Sequence, residues 1–241
     1  MSNNKLGDPL AEEEVINEET QIATAQAEEI NASTLSVPKT AYNDFEGDFG
    51  EDDLPTQYMS IVSRTSDLAE TFGKGSIVLN KEVKLGDGKT PFPITVLSGS
   101  RHWEEYVPFG EGATPQTFAT MREAAAAGFS SHYEAKNRVG PVLTAKVLVP
   151  VPSDFAQDSY EGQGYAVATW IMQKTAYKAS AAHFTLARTK GHLKDGLWNG
   201  GWDLSTLLKT GGNGSWYVPV VTKLGRHDEK FAKWIEETFL V

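Results

Sequence analysis

The chain has 241 residues, a formal charge of −10 and no cysteine, which excludes disulfide bonds, thiolate zinc sites and cysteine nucleophiles. It contains no run of about 18 apolar residues, and its first residues lack the basic start and apolar core of a signal peptide. We therefore expect a cytoplasmic protein with no membrane partner.

Acidic residues are concentrated at the N-terminus. Residues 1–54 contain fourteen acidic residues against Lys5 and Lys39, a net charge of −12. Subtracting them from the 22 basic and 32 acidic residues of the chain leaves 20 basic and 18 acidic residues in 55–241, a net charge of +2. Because 1–54 hold few large apolar side chains, we predict a disordered acidic tail over 1–54 followed by a single domain over 55–241.

The end of this tail reads DFEGDFGEDDLP, in which Phe45 and Phe49 alternate with carboxylates. Such a pattern can imitate a polyanion that carries bases, with carboxylates in place of phosphates and a phenyl ring in place of a stacked base. The alternative is a tail that only increases solubility.

From Tyr58 onward, short apolar runs separated by turn residues predict an antiparallel β domain with helical insertions. An Asp-Gly turn is predicted at 87–88, and a Gly-Gly-Asn-Gly turn joins the last two strands. The predicted strands are 75–79, 94–97 continuing through HWEEYVPF, 140–152 with prolines at its ends or at a sheet edge, 164–172, about 201–209 and about 215–223.

Three helices are predicted between and after these strands. The first runs from about 115 to 127, with Thr114 as N-cap, Pro115 at the first helical position and Gly128 as the stop. The second runs from Thr175 to Lys190, and an amphipathic third helix runs from about 228 to 239.

Five or six short strands, with helices between them but without regular β-α alternation, favour a mainly β, α+β fold. The specific expectation is an OB-like antiparallel barrel with helical insertions and a C-terminal helix. The alternative is an α+β sandwich of no named type.

The enzyme motifs that can be tested are absent. The segment GDGKT resembles the end of a phosphate-binding loop, but Val83 stands where that loop needs glycine and Pro91 follows where a helix must begin. The five histidines are scattered without the spacing of a metal site. We predict no catalytic residue, no metal site and no cofactor, so the protein is not expected to be an enzyme.

Aromatic rings interleaved with cations point to single-stranded nucleic acid, which is held by base stacking and phosphate contacts. Three stretches carry this pattern: SGSRHWEEYVPF, QKTAYKASAAHFTLARTKGHLK, and the closing hairpin from Trp198 on. On the second hairpin strand, the face with Tyr217 and Lys223 is predicted to bind and the face with Trp216 to be core. The predicted nucleic-acid-binding residues are Arg101, Trp103, Tyr106, Lys174, Tyr177, Lys178, Arg188, Lys190, Trp198, Lys209, Tyr217 and Lys223.

With these features the chain resembles bacteriophage single-stranded DNA-binding proteins of the OB-fold type. The resemblance is carried by GEDDLP, by GKGSIVLNKEVKLGDGKTPFPITVLSG, and by the hairpin TLLKTGGNGSWYVPVVTKLG with the short helix after it. It implies a protein of the host-cell cytoplasm that coats single-stranded DNA without sequence preference during replication or recombination. It also implies an acidic tail that competes with DNA or recruits replication or recombination proteins. Whether the protein forms a homo-oligomer is left open.

The chain departs from that family in carrying its main acidic tail at the N-terminus. Two alternatives therefore stay open. One is a structural or accessory virion protein whose aromatic β surface makes protein contacts. The other is an anti-host protein whose acidic head imitates DNA.

Overall fold

The computed structural model describes residues 56–107, 113–191, 193–212 and 214–240. All of the described residues fall in one compact unit of the chain. The predicted tail over 1–54 lies outside the described residues, so the division at 54 and 55 stays a prediction.

The described residues form a mainly β structure built on one strongly curled, half-barrel sheet with a few helices. The sheet has ten strands. They are β1 (Tyr58–Ile61), β2 (Ile77–Leu79), β3 (Val83–Gly86), β4 (Phe92–Glu105), β5 (Thr117–Phe118), β6 (Val139–Val151), β7 (Asp158–Tyr160), β8 (Gln163–Gln173), β9 (Gly200–Gly211) and β10 (Gly214–Arg226).

The strand order is β10-β9-β4-β6-β8-β1-β2-β3, with β5 paired to β4 and β7 paired to β8. Neighbouring strands in the described residues run antiparallel, except that β1 and β8 are parallel over the pairs Tyr58↔Thr169 and Met59↔Trp170. The two ends of this order are β10 and β3, and the curl of the sheet brings β10 and β9 close to the segments around β1 and β2.

Strand β8 shows why these segments form strands. Its even-numbered residues from Gly164 to Met172 are all buried, while the residues between them are partly or fully exposed. Side chains alternate between the two faces of a strand, so this period of two buries one face and leaves the other accessible. The strand predictions over 164–172, 140–152, 201–209 and 215–223 are each confirmed within a few residues.

The prolines of β6 lie near its ends, as predicted, although β6 is a central strand. Pro141 is the third residue of the strand, and Pro150 lies beyond Leu148, where the pairing with β4 ends. The pairing with β4 therefore needs no backbone N–H from Pro150.

The helices are α1 (Leu68–Phe72), α2 (Met121–Ala126), α3 (Lys174–Thr189) and α4 (Glu229–Phe239). The predicted helices 175–190 and 228–239 are confirmed. At the N-terminus of α4, the carboxylate of Asp228 accepts hydrogen bonds from the backbone N–H groups of Lys230 and Phe231.

The predicted start of the first helix is wrong. Helix α2 begins at Met121 with Thr120 as its N-cap, because Thr117 and Phe118 instead pair with Glu104 and Trp103 of β4. Its end is as predicted. Gly128 has φ +84°, and the N–H groups of Gly128 and Phe129 bond to the carbonyls of Ala125 and Ala124, which is a Schellman motif.

The core lies mainly between the sheet and α3. Phe184 of α3 meets the indole of Trp202 on β9 edge to face, with ring centres 4.9 Å apart, and Trp170, Val147 and Met172 belong to the same buried cluster. Helix α4 packs through Ile235 on a second cluster that contains Leu97 and Leu148. The rings of Tyr160 and Tyr165 each contact those of Phe231 and Trp234 on this helix.

Backbone contacts hold the curl of the sheet. The Thr206 N–H on β9 donates to the carbonyl of Gly88 (2.6 Å), and the Thr206 hydroxyl donates to the carbonyl of Gly75 (2.9 Å). A Cβ on Gly88, at φ +75°, would lie 2.0 Å from the Gly75 carbonyl oxygen. At the predicted Asp-Gly turn the chain bends, with the Asp87 carboxylate accepting from the N–H groups of Lys89 and Thr90, and Gly88 also makes the contact with β9.

Candidate functional site

Two tyrosines and two cations form a contact cluster at one end of the sheet. The guanidinium carbon of Arg138 lies 5.0 Å from the ring centre of Tyr106 and 4.7 Å from that of Tyr133. The Lys174 ammonium lies 4.1 Å from the ring centre of Tyr106. These distances are within the range of cation–π contacts. We call Tyr106, Tyr133, Arg138 and Lys174 the cation–aromatic cluster.

The backbone fixes the positions of Tyr106 and Arg138. Tyr106 directly follows β4 and Arg138 directly precedes β6. The Tyr106 N–H donates to the carbonyl of Arg138 over 2.7 Å. Ser130 holds both ends of the loop that carries Tyr133, since its N–H donates to the carbonyl of Asn137 and its carbonyl accepts from the N–H of Val139. The backbone of Tyr106 and Arg138 is therefore fixed at strand ends, and Tyr133 lies in a loop whose ends are joined by hydrogen bonds.

Lys174 is placed by an uncommon backbone conformation. It directly follows β8 and has φ +52°, in the left-handed region that residues other than glycine rarely adopt. This conformation makes the turn from β8 into α3 at the residue whose ammonium contacts the Tyr106 ring.

Both tyrosine rings remain accessible. Tyr133 is 76% exposed and Tyr106 is 43% exposed, although cations already contact both rings. A flat aromatic ligand can therefore reach them, and the cations beside them can contact an anion that the ligand carries.

Two carboxylates of β4, those of Glu104 and Glu105, contact other groups of the protein. The Gln173 amide donates to both oxygens of Glu104 at 3.2 Å, and the His102 ring lies 3.7 Å from Glu104. Glu105 accepts from the backbone N–H of Gln116. Both carboxylates therefore have partners other than the arginine and lysine of the cation–aromatic cluster.

Arg101 and Trp103 share a face of β4, as predicted, and their side chains contact each other, with the guanidinium carbon 6.0 Å from the indole centre. Trp103 is half-buried and packs against a small cluster formed by Ala124, Phe129 and Val139. Arg101 is exposed.

The predicted faces of the β9–β10 hairpin are reversed. Trp216, expected to be core, is 36% exposed and shares its face with the exposed Leu207 and Val220. Val218, between Trp216 and Val220, is the buried residue of this face on β10. The face of Tyr217 holds the buried Trp202 and Leu204. The reason is that α3 packs with Phe184 on that second face, and periodicity alone does not show which face a distant helix covers.

The remaining predicted residues are distributed over the domain. Tyr177 and Lys178 lie on the first turns of α3, next to Lys174, whereas Arg188 and Lys190 lie at the other end of this 16-residue helix, about 20 Å away. Lys190 and Lys223 line a hollow of about 300 Å³ together with His183 and Trp202. Lys209 is exposed opposite Trp216, and Trp198 is half-buried against the α4 cluster.

Of the twelve predicted residues, the structure brings Tyr106 and Lys174 into contact, places Arg101 beside Trp103, and sets Tyr177 and Lys178 next to Lys174 along α3. Sequence reasoning missed Tyr133 and Arg138. The signal was available in SHYEAKNR, a loop with one ring and two cations, but the return of this loop to β4 depends on the sheet.

The described residues contain no group of three or more His, Asp or Glu side chains arranged to hold a metal ion. Within the same ranges, none of the helices combines the length and apolar character that crossing a membrane requires.

His227 is half-buried and lies away from the cation–aromatic cluster. The His227 ring nitrogen Nε2 is 2.8 Å from the hydroxyl oxygen of the buried Thr95. Burial lowers the pKa of His227, and the neighbouring Asp228 carboxylate opposes this shift.

Comparison with protein-family models, with curated proteins and with solved structures gives no match to this chain. Any functional assignment therefore depends on the geometry described above.

Proposed function

We propose that this protein binds single-stranded DNA without sequence preference, by base stacking and phosphate contacts. The observation that carries the proposal is the cation–aromatic cluster, in which one guanidinium contacts two accessible tyrosine rings and an ammonium contacts one of them. Stacking on an aromatic side chain contributes about 1–3 kcal/mol per base and tolerates any base sequence.

The cluster supplies both parts of such a site. Its rings offer stacking surfaces, and Arg138 and Lys174 offer positive charge for the phosphates on either side of a stacked base. Because backbone hydrogen bonds already fix the main chain at Tyr106, Arg138 and the ends of the loop that carries Tyr133, little backbone entropy is lost on binding. Lys178, exposed one helical turn after Lys174, extends the positive charge beside the cluster.

A role in coating DNA during bacteriophage replication or recombination is part of the same proposal, as is an acidic tail that competes with DNA or recruits replication proteins. So is an OB-type identity for the fold. The incompletely closed, curled antiparallel sheet supports it, although the OB barrel has five strands and this sheet has ten.

The test is a titration of the full chain with a fluorescently labelled single-stranded oligonucleotide, read by anisotropy at about 50 mM and about 200 mM salt. We expect binding that weakens steeply as salt rises, since bound phosphates release counterions. Tyr106→Ala and Tyr133→Ala should each weaken binding by about five- to hundredfold, and Tyr133→Phe should bind like the wild-type chain because it keeps the ring.

The role of charge is tested by Arg138→Ala, which should weaken binding to all sequences. The slope of the logarithm of the binding constant against the logarithm of the salt concentration should become shallower by about one, the value for one phosphate contact. Lys230→Ala removes an exposed charge on α4, away from the cluster, and serves as the matched control. Absence of binding at low salt, or binding that salt does not change, would overturn the proposal.

A structural or accessory virion protein is the second candidate. It is favoured by the exposed apolar side chains of Leu207, Trp216 and Val220 on one face of the β9–β10 hairpin. Apolar protein contacts weaken little with salt, so salt-resistant self-association or partner binding that Trp216→Ser removes would support this candidate.

A further inference from the structure

A cleft opens where two neighbouring strands of the sheet separate. The parallel pairing of β1 and β8 ends at Met59 and Trp170. Ser60 and Ile61 of β1 and Ile171 of β8 lie beyond this point, and all three line the cleft. The cleft thus follows from the short parallel ladder, because the two strands diverge after two residue pairs.

The opposite wall comes from the far end of the strand order. The curl of the sheet places Tyr217 and Pro219 of β10 across from β1, and together these strands enclose about 350 Å³. Pockets for small molecules begin at about this volume. The cleft can therefore hold one flat group of the size of a nucleobase but not a duplex.

Three aromatic residues line the cleft. Tyr58 is 50% exposed on one wall and Tyr217 is half-buried on the other. Trp170 is almost fully buried and points to the opposite face of the sheet from Tyr58, because Tyr58 pairs with the preceding residue, Thr169. The Tyr217 ring packs closely against the Gly75 backbone, because a Cβ added to Gly75 would lie 2.6 Å from the ring. This contact holds Tyr217 at the cleft.

The lining contains no charged residue, whereas the first turns of α3 beside it carry two lysines. Ala176 of α3 lines the cleft, and Lys174 of the cation–aromatic cluster and the exposed Lys178 lie two residues before and after it, on the other side of the helix. An uncharged aromatic interior beside ammonium groups matches a nucleotide, whose base is flat and uncharged and whose phosphate is anionic.

We propose that this cleft takes up one unstacked base of the bound strand, and that the strand continues around the first turn of α3 to phosphate contacts with Lys174 and Lys178. This inference rests on the proposed function and extends it. The cation–aromatic cluster and the cleft then form one continuous binding path around the first turn of α3, and Tyr58, which sequence reasoning did not single out, becomes a binding residue.

The test is photocrosslinking of the full chain to oligonucleotides that carry a single 5-iodo-deoxyuridine, with the crosslinked peptides identified by mass spectrometry. We expect crosslinks at Tyr58 and Tyr217.

A second measurement uses Ile171→Glu, which places a carboxylate at the cleft from a side chain that is 47% exposed, so the core is left intact. Leu186→Glu, at a 54% exposed position on the same α3 that does not line this cleft, is the matched control.

Ile171→Glu should bind the oligonucleotide about five- to hundredfold more weakly than Leu186→Glu, the loss expected for one stacked base. Salt-dependent binding with equal affinities of the two variants and no crosslink to the cleft peptides would overturn this inference and leave the proposed function standing. If the wild-type chain does not bind single-stranded DNA at low salt, the proposed function fails and this inference fails with it.

Discussion

The Lys174 ammonium contacts the ring of Tyr106 across the end of the sheet, 4.1 Å from the ring centre, and Lys174 itself has φ +52°. A side chain that belongs to the candidate site is thus attached to a strained backbone. Strain of this kind costs about 1–3 kcal/mol and persists only where the surrounding structure imposes it.

Replacement of Lys174 separates its backbone role from its charge. Lys174→Gly should be about 1 kcal/mol more stable than Lys174→Ala, because only glycine adopts positive φ without a steric penalty. Both variants lack the ammonium, so both should bind an oligonucleotide equally weakly. Urea unfolding and anisotropy check the two statements, and equal stabilities of the two variants would show that the backbone at Lys174 is unstrained.

Gly88 is expected to stabilise the curl of the sheet. Gly88→Ala should lower the unfolding free energy by about 1–3 kcal/mol more than Gly162→Ala does. Both glycines have positive φ, but a Cβ at Gly88 would meet the Gly75 carbonyl at 2.0 Å, whereas one at Gly162 would have no atom within 4 Å. Similar losses in chemical denaturation would mean that the contact through Gly88 contributes nothing.

Stability is expected to fall in mild acid because of His227. Burial lowers the pKa of this ring in the folded state, so the unfolded chain takes up its proton first, near its ordinary value of about 6.5. The contribution of His227 is complete above that pH and decreases as pH falls below it, towards the lower pKa of the folded state. Urea midpoints measured from pH 7.5 to 5.5 should fall less in His227→Gln than in the wild-type chain, and parallel curves would exclude this role.

Asp228 is expected to stabilise the C-terminal helix. Its carboxylate accepts from the N–H groups of Lys230 and Phe231, so Asp228→Ala should cost about 1 kcal/mol in unfolding free energy. Asp228→Ser keeps an oxygen that can accept the same bonds and should recover most of the loss. If Ser and Ala are equally unstable at this position, the loss comes from the charge of Asp228 and not from the cap.

Local sequence signals predicted the long elements well. The alternation in β8, the Gly128 stop of α2 and the extent of α3 depend on residues within the element itself, which is why they are visible without the fold. The short strands β1, β3, β5 and β7 were missed, because two to four residues carry too little periodicity and form a strand only when a partner is present.

The candidate site also combines residues that the sequence reveals with contacts that only the fold creates. Tyr106 and Lys174 could be selected from rings and cations that are close in sequence, but their contact joins the end of β4 to the start of α3. Arg138 and Tyr133 complete the cluster only because a backbone hydrogen bond ties Arg138 to Tyr106. The hairpin faces were reversed for the same reason, since the position of α3 decides which face of β10 is covered.

The sequence by itself therefore determined the β-rich class, the main strands and helices and the enrichment in rings and cations, because periodicity, turns and caps are local properties of the chain. Only the tertiary structure decided which rings and cations meet, which face of each strand is buried, and where β1 and β8 part to open the cleft. These depend on contacts between residues far apart in the chain, and no local pattern encodes such distances.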